Sequence, residues 1–307
     1  MKKRRLGNSN LHVSEIGLGC MSLGTDVNRA KDIIHEAIQS GINYLDTADL
    51  YDFGENEKIV GQAIKGRRDD VVIATKGGNH FDKDKKDWFW DPSKTYLKEA
   101  VKNSLHRLGI DEIDLYQLHG GTIEDPFDEV LEALEEMQQE GLIRYYGISS
   151  IRPNVIQQFS DHSKIVSNMM QYSLLDRRPE EFEDILHDHE VSIMARGSLA
   201  KGMLTDDGMK KWEQKGQDGF LDYSGKELRH TIKELLALSK ESGQPLQSLA
   251  MAYLFNNKAL GSLVIGASEA SQVEQNMKAY EQASISDELY EELRKITKSQ
   301  RYESHRV

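Results

Sequence analysis

Three short stretches of this 307-residue chain carry ionisable side chains at spacings that suit chemistry. YLDTADLY holds Asp46 and, five residues on, Tyr51; VVIATK ends in Lys76; DLYQLH ends in His119. Each side chain ends or closely follows a short apolar run of strand character. Neighbouring strands lie ~4.8 Å apart, so adjacent strand ends can bring four such groups together. The grouping suits proton donation. A phenol, with a pKa near ~10, is a poor acid at neutral pH. An ammonium beside it is expected to lower that value by stabilising the phenolate. Asp46 would pair with Lys76 and keep it charged, and His119 would direct a substrate carbonyl. Tyr51 would then protonate an oxygen as it gains negative charge. No metal is required. Taken singly, each residue has a plainer reading: a turn aspartate, a solvated lysine, a core-edge histidine. The combination on successive strand ends is what points to chemistry.

The elements that must hold these residues alternate along the chain. Strands are expected at 13–19, 43–46, 71–75, 113–118, 145–149, 165–171, 191–195 and 262–265. Helical patterns fall at 29–40, 55–65, 93–108, 127–140, 152–159, 179–189, 230–242 with 245–256, and 271–280. Near-continuous apolar strands separated by helices mean a parallel sheet covered by helices. Eight such units favour closure into a (β/α)8 TIM barrel, whose chemistry sits at the carboxyl ends of the strands. The expectation is one domain over 1–307. Gly41, Gly109 and Gly141 suit helix stops; Ser93 and Asp125 suit caps, after Pro92 and before Pro126. Outside the eight units, 1–12 reads as a β-hairpin turning at 7–10. Residues 82–87 read as a charged loop leading into Trp88, Phe89 and Trp90. Residues 205–225 read as a long aperiodic loop after the seventh strand. An amphipathic helix at 287–296 and a polar tail at 297–307 end the chain.

With 51 acidic against 39 basic residues the formal net charge is -12, which disfavours nucleic acid and anionic membrane as partners. The lone cysteine, Cys20, excludes an intrachain disulfide and a cysteine-based zinc site. That suits a reducing cytoplasm. The basic start MKKRRLGNSN is followed by no apolar run, so it does not read as a signal peptide. No stretch approaches the ~18 apolar residues of a membrane span. His187 and His189 point to different helix faces, which disfavours a metal pair. GLGCMSLG carries Gly17, Gly19 and Gly24, but the third glycine of a dinucleotide fingerprint would fall at Ser22, so that reading fails. Oligomeric state is not set by these features; a monomer is compatible with them.

GINYLDTADLYDFGENEKIVGQAI, VVIATK and IDLYQLH resemble the signature stretches of the aldo-keto reductase family, with the resemblance running from about residue 4 to about 281. It implies that Asp46, Tyr51, Lys76 and His119 are a catalytic tetrad. It also implies NADPH/NADP as coenzyme, extended across the barrel mouth, with NADH possible. The reaction implied is reversible reduction of an aldehyde or ketone to an alcohol. GISS resembles the family's Gly-x-Ser-Asn, so Ser149, and Ser150 in the asparagine's place, would meet the nicotinamide amide with Gln171. ARGSLAKGML resembles the loop that cradles the pyrophosphate, assigning Gly197, Ser198, Leu199, Lys201 and Gly202, with Arg196 where a stacking aromatic is common. GASEASQVEQN resembles the adenosine-phosphate stretch, assigning Gly266, Ser268, Gln272, Gln275 and Asn276; Gln272 stands where arginine is frequent. Gly19 and Met21 would lie by the nicotinamide ribose. Trp88 and Trp90 would wall the substrate pocket, favouring a carbonyl compound with an apolar or aromatic body. Two other readings compete: a coenzyme-binding regulatory subunit, and a barrel aldolase or isomerase using Lys76 as a Schiff base.

Overall fold

The β-rich apolar runs do form strands, and their alternation sets what each face meets. In the computed structural model, which describes residues 1–306, a two-stranded antiparallel hairpin comes first, β1 (Lys3–Arg5) with β2 (His12–Ser14). Then follow β3 (Ile16–Gly19), α1 (Val27–Gln39), β4 (Tyr44–Asp46), α2 (Glu55–Ala63), β5 (Val72–Gly77), a second hairpin β6 (Asn79–Asp82) and β7 (Asp87–Trp90), and α3 (Lys94–Leu108). The chain continues through β8 (Ile113–Leu118), α4 (Phe127–Gln139), β9 (Ile143–Ile148), α5 (Pro153–His162), β10 (Ser167–Gln171), α6 (Glu183–Asp188) and β11 (Ser192–Arg196). It ends with α7 (Gly208–Lys215), α8 (Gly225–Ser242), α9 (Leu246–Phe255), β12 (Leu260–Gly266), α10 (Ala270–Glu281) and α11 (Asp287–Ile296). Parallel pairing closes a barrel in the order β10-β11-β12-β3-β4-β5-β8-β9.

Alternation along each strand divides two apolar layers. Leu45, Ile73, Tyr116, Ile148, Met170, Ile193 and Leu263 pack outward under the helices, against residues such as Ile33, Ile34, Val101 and Leu134. Tyr44, Val72, Ala74, Leu115, Met169, Met194 and Val264 fill the interior, and Leu6, Leu11 and Val13 from the first hairpin join them. Each fully buried aliphatic side chain of this kind contributes about 1.5–3 kcal/mol. The hairpin therefore closes the barrel floor, which explains why it runs two residues past the expected 1–12. It takes Val13 and Ser14 from the expected first strand.

Other boundaries differ for local reasons. The charged stretch 82–87 is only the turn of the β6–β7 hairpin, whose strands are too short to show a period. Residues 205–225 are not an aperiodic loop: α7 lies within them, held by few apolar side chains. Met209 and Trp212 pack on the core and Trp212 Nε1 donates to the Gly225 carbonyl at 3.0 Å. The 179–189 helix is a 3-10 turn, Arg178–Phe182, leading into α6. α8 starts at Gly225 rather than 230 because Ser224 and Glu227 form a capping box. Ser93 caps α3 by accepting the Tyr96 N–H. Asp125 does not cap α4; its carboxylate accepts the Thr122 amide at 2.7 Å and Trp90 Nε1 at 3.0 Å. No helix among the described residues is long and apolar enough to cross a membrane.

Candidate active site

Inward parity places the chemistry. On β4, Tyr44 points inward, so Asp46 does too; Ala74 sets the same parity for Lys76, and Leu115 for Gln117 and His119. β4, β5 and β8 are consecutive in the barrel. Their carboxyl ends therefore form one arc of the mouth. Lys76 Nζ is its hub, donating to Asp46 Oδ2 at 2.8 Å, the Thr47 carbonyl at 2.7 Å and Tyr51 Oη at 3.4 Å. The His119 ring meets Tyr51 edge-on with centroids 6.0 Å apart. His119 Nδ1 is buried with no hydrogen-bond partner.

Tyr51 comes from a turn rather than a strand, and the turn is unusual. Asp52 and Phe53 both have left-handed backbones, at φ 48° and 52°. Such residues cost of order 1–3 kcal/mol each, so surrounding contacts must hold them. The Thr47 and Asp49 amides donate to the Ala74 and Lys76 carbonyls of β5. Thr47 Oγ1 donates to Asn56 Oδ1 at 2.7 Å, and Asn56 Nδ2 to the Cys20 carbonyl at 2.8 Å. Phe53 packs edge-on against Phe81 of the second hairpin, centroids 5.9 Å apart. Sequence reasoning missed Thr47, Phe53, Asn56 and Phe81. The usable signal was Asn56, a polar residue on the apolar face of α2.

Burial governs the electrostatics. It pushes the Tyr51 phenol above its ordinary pKa, and the pull of Lys76 does not overcome it. The expected net lowering is thus reversed: desolvating the phenolate costs more than one ammonium returns. Burial also opposes the Lys76 charge, but Asp46 and Tyr51 more than compensate, so the ammonium is held above its ordinary range. His119 is pushed down to about 3 by burial, Lys76 and Arg196, so its imidazole is neutral at physiological pH. Burial also raises the Cys20 thiol, which is inert in the core.

The candidate coenzyme residues lie at the ends of β9, β10, β11, β12 and β3, which form the other contiguous arc of the mouth. Ser149 shares the inward parity of Gly147 and stands beside the tetrad arc. Ser150 faces the other way: Asn168 Oδ1 accepts its amide at 3.1 Å, and its hydroxyl accepts the Arg152 amide at 3.2 Å. Gln171 Oε1 accepts Arg196 Nη1 at 3.3 Å, and Arg196 and Gly197 are exposed at the mouth. Ser198 is buried, and its hydroxyl has no partner. Gly197 has φ +67° and Lys201 φ 58°, which curl the backbone into a tight loop around Leu199. The Gly202 amide is spent on the Leu199 carbonyl, so Gly202 shapes this loop without offering its N–H. Gly266 lies against Ser22, where a Cβ would come within 2.8 Å of the hydroxyl; Gly19 lies beside it, and Met21 is exposed on the turn after β3. Gln272 Oε1 accepts the Ser268 amide at 2.8 Å and its hydroxyl at 3.2 Å. Gln275 is exposed on α10, and Asn276 Oδ1 accepts Gln247 Nε2 at 2.7 Å. An unpartnered buried hydroxyl, a tight glycine-bearing loop and small residues at β12 and β3 fit an anionic dinucleotide.

Register places Asn79, Phe81, Trp88 and Trp90 on one face of the second hairpin. Trp90 packs over Gly78 and Gly120, next to His119, whereas Trp88 is 52% exposed. A separate cavity of about 930 Å³ opens at the opposite end of the barrel, beside the carboxyl end of α2. Its Arg68 and Arg144 are paired with Asp114, and its Arg107 with Glu57. Among the described residues no cluster of three or more His, Cys, Asp or Glu could hold a metal.

The aldo/keto reductase family model matches residues 15–298. The chain is 52% identical over its full length, and that of the relative, to the uncharacterized oxidoreductase YqkF of Bacillus subtilis. It is 30% identical to the NADH-specific methylglyoxal reductase of Escherichia coli, covering 91% of this chain and 93% of that one. The holo form of aldo-keto reductase AKR11C1 from Bacillus halodurans superposes with a TM-score of 0.93 at 50% identity, covering both chains entirely; its apo form gives 0.84. Family match, barrel order and relatives agree: the chain is a member of the aldo/keto reductase family, an NAD(P)H-dependent oxidoreductase on an eight-stranded barrel.

Proposed function

We propose that the protein reduces an aldehyde or ketone to an alcohol, reversibly, with Tyr51 giving the proton and NADPH or NADH serving as coenzyme. The observation that carries this is the Lys76 hub, which contacts Asp46 and Tyr51 with the His119 ring against the phenol. A nicotinamide dinucleotide, when bound, supplies or receives the hydride. The chain's own residues handle the oxygen. Neutral His119 donates a hydrogen bond that aims the carbonyl oxygen at Tyr51. The phenol is un-ionised at rest, as a proton donor must be. Phenolate character appears only as the proton leaves, and the ammonium 3.4 Å away then stabilises it. An interaction that strengthens on the way to the transition state raises the rate rather than the affinity. A Schiff-base role for Lys76 is disfavoured, because an ion-paired ammonium has no free electron pair. A purely regulatory role leaves the buried ion pair beneath the phenol without a purpose.

This assignment sets a pH profile. Reduction needs neutral His119 and protonated Tyr51. With His119 at about 3 and the phenol above its ordinary value, kcat for reduction is expected to stay flat from about pH 5 to pH 9. A bell with a pKa between 6 and 7, in kcat measured with a saturating aldehyde, would show that another group does the proton transfer.

On the coenzyme side, Ser149, Gln171, Arg196, Gly197, Ser198, Leu199 and Lys201 are proposed to hold the nicotinamide and pyrophosphate. Gly19 and Met21 would flank the ribose, and Gly266, Ser268, Gln272, Gln275 and Asn276 the adenosine end. Gln272 supports a weak choice between NADPH and NADH. It is uncharged and already occupies the Ser268 amide with its own carbonyl. Replacing an amide by a guanidinium adds a charge-assisted contact worth about 1.5–3 kcal/mol. Gln272→Arg is therefore expected to tighten NADPH about tenfold or more while leaving NADH nearly unchanged. Fluorescence titration with both coenzymes tests it; equal tightening of both removes Gln272 from the 2′-phosphate. The NADH specificity of the methylglyoxal reductase relative accords with a family in which this preference varies. Trp88 and Trp90 favour an apolar or aromatic body on the substrate, which an aldehyde and ketone panel would read directly.

A further inference from the structure

One buried titratable group beside the tetrad has no part in the steps above. Asp49 is fully buried, three residues after Asp46 and two before Tyr51, and neither carboxyl oxygen has a hydrogen-bond partner. Its amide donates to the Lys76 carbonyl. Tyr116, on the outward face of β8, is equally buried, and its hydroxyl is also unpartnered. Gly77 sets the two groups beside each other, with no direct hydrogen bond between them. A Cβ built there would overlap Tyr116 Oη and stand 3.4 Å from Asp49 Oδ2, so both oxygens border the same small volume, which glycine alone leaves open.

The charges around this volume decide the protonation state. Glu57 from α2 is buried and accepts Thr75 Oγ1 from β5 and Arg107 Nε from α3, each at 2.6 Å. The nearby Arg107 guanidinium is thus bonded to Glu57, and it reaches Asp49 only through space. Lys76 is committed to Asp46, Thr47 and Tyr51. Asp49 is left with no cation of its own, and both burial and Glu57 push its carboxyl well above the usual range. A neutral carboxyl is a donor as well as an acceptor, and it faces a phenol that is both. A buried polar group without a partner is destabilising, and a hydrogen bond between two of them relieves both.

We propose that a small rotation of Asp49 or Tyr116 across this volume closes a neutral carboxyl–phenol pair that ties the Tyr51 turn to β8 and so positions the proton donor against Lys76 and His119. Asp49 is a positioning residue: it touches neither substrate nor coenzyme. The reading rests on Tyr51 as donor, since only then does the setting of this turn control the rate. The turn needs such a tie. It contains two left-handed residues, and the Tyr51–Lys76 contact, at 3.4 Å, is at the long end of a hydrogen bond. Misplacing a reacting group by ~1 Å costs on the order of 10²-fold in rate.

The test compares Asp49→Val, Asp49→Asn, Tyr116→Phe and the Asp49→Val/Tyr116→Phe double variant. kcat and KM are measured with benzaldehyde and NADPH, coenzyme Kd by fluorescence, and fold by circular dichroism and melting. Each of Asp49→Val and Tyr116→Phe should lower kcat about 10- to 100-fold, with coenzyme Kd within about twofold of wild type. The double variant should be no worse than the worse single one, and Asp49→Asn should recover most of the loss, because an amide still bonds the phenol. Wild-type kcat in a folded Tyr116→Phe, losses that multiply in the double variant, or Asp49→Asn as poor as Asp49→Val overturns the pairing. Where Asp49→Val does not fold, Tyr116→Phe and Asp49→Asn decide. Tyr51→Phe in parallel separates the two readings. Its inactivity beside wild-type kcat in the Asp49 and Tyr116 variants overturns only the pair, whereas its full activity overturns the donor.

Discussion

Tyr51→Phe is expected to lower kcat by about 10²–10⁴-fold, with coenzyme affinity and fold unchanged, the magnitude that general acid catalysis supplies. Phenylalanine keeps the ring, its edge contact with His119 and the cation above it from Lys76, whose Nζ stands 5.0 Å from the ring centroid. Only the hydroxyl is lost. The loss falls on kcat, because the interaction between phenolate and ammonium exists only as the proton moves. Stopped-flow measurement of hydride transfer would show the step slowed. Turnover like wild type would remove Tyr51 from the reaction, and with it the reason for so costly a turn.

The second large effect concerns Lys76→Met. Methionine fills the volume of the lysine stem but leaves the Asp46 carboxylate in the core without its cation. Breaking a buried pair from one side costs about 3–5 kcal/mol, so a clear fall in melting temperature is expected. Activity should fall at least as far as in Tyr51→Phe, because the developing phenolate loses its stabilisation. Asp46→Asn provides the contrast. It keeps an oxygen for the ammonium, and Lys76 loses charge compensation, not its place; both losses should be smaller. The sign in pH follows from the raised Lys76 pKa. Its contribution to stability is complete below the unfolded lysine value near ~10.4 and fades as pH rises through the higher folded value. The stability gap between wild type and Lys76→Met should therefore narrow at strongly alkaline pH. A Lys76→Met protein that melts like wild type would mean that the Asp46 carboxyl, which burial already raises, takes up a proton at little cost once its cation is gone.

The order of elements was legible because both periods were clean. Apolar runs at 71–75 and 113–118 sit where β5 and β8 lie, and the 287–296 helix matches α11. The second hairpin and α7 were not legible. β6 and β7 have four residues each, and α7 has only Met209 and Trp212, both half-buried, to mark an apolar face. For the site, position in sequence was enough to nominate Asp46, Tyr51, Lys76 and His119, because strand ends and parity carry over directly into three dimensions. It did not show what Ser150 and Gly202 bond to within the chain: the Ser150 hydroxyl accepts the Arg152 amide and keeps its own proton to donate, whereas the Gly202 amide is spent on the Leu199 carbonyl.

The amino-acid sequence by itself therefore determined the alternation that builds the barrel and the parity that turns four ionisable groups inward. Only the tertiary structure decided their chemical state. Local sequence names Lys76 as a neighbour that should acidify Tyr51, yet burial is a sum over everything packed around the phenol, and that sum outweighs one ammonium. The same sum makes His119 a neutral donor and pushes the Asp49 carboxyl up against the pull of Arg107 and Lys76.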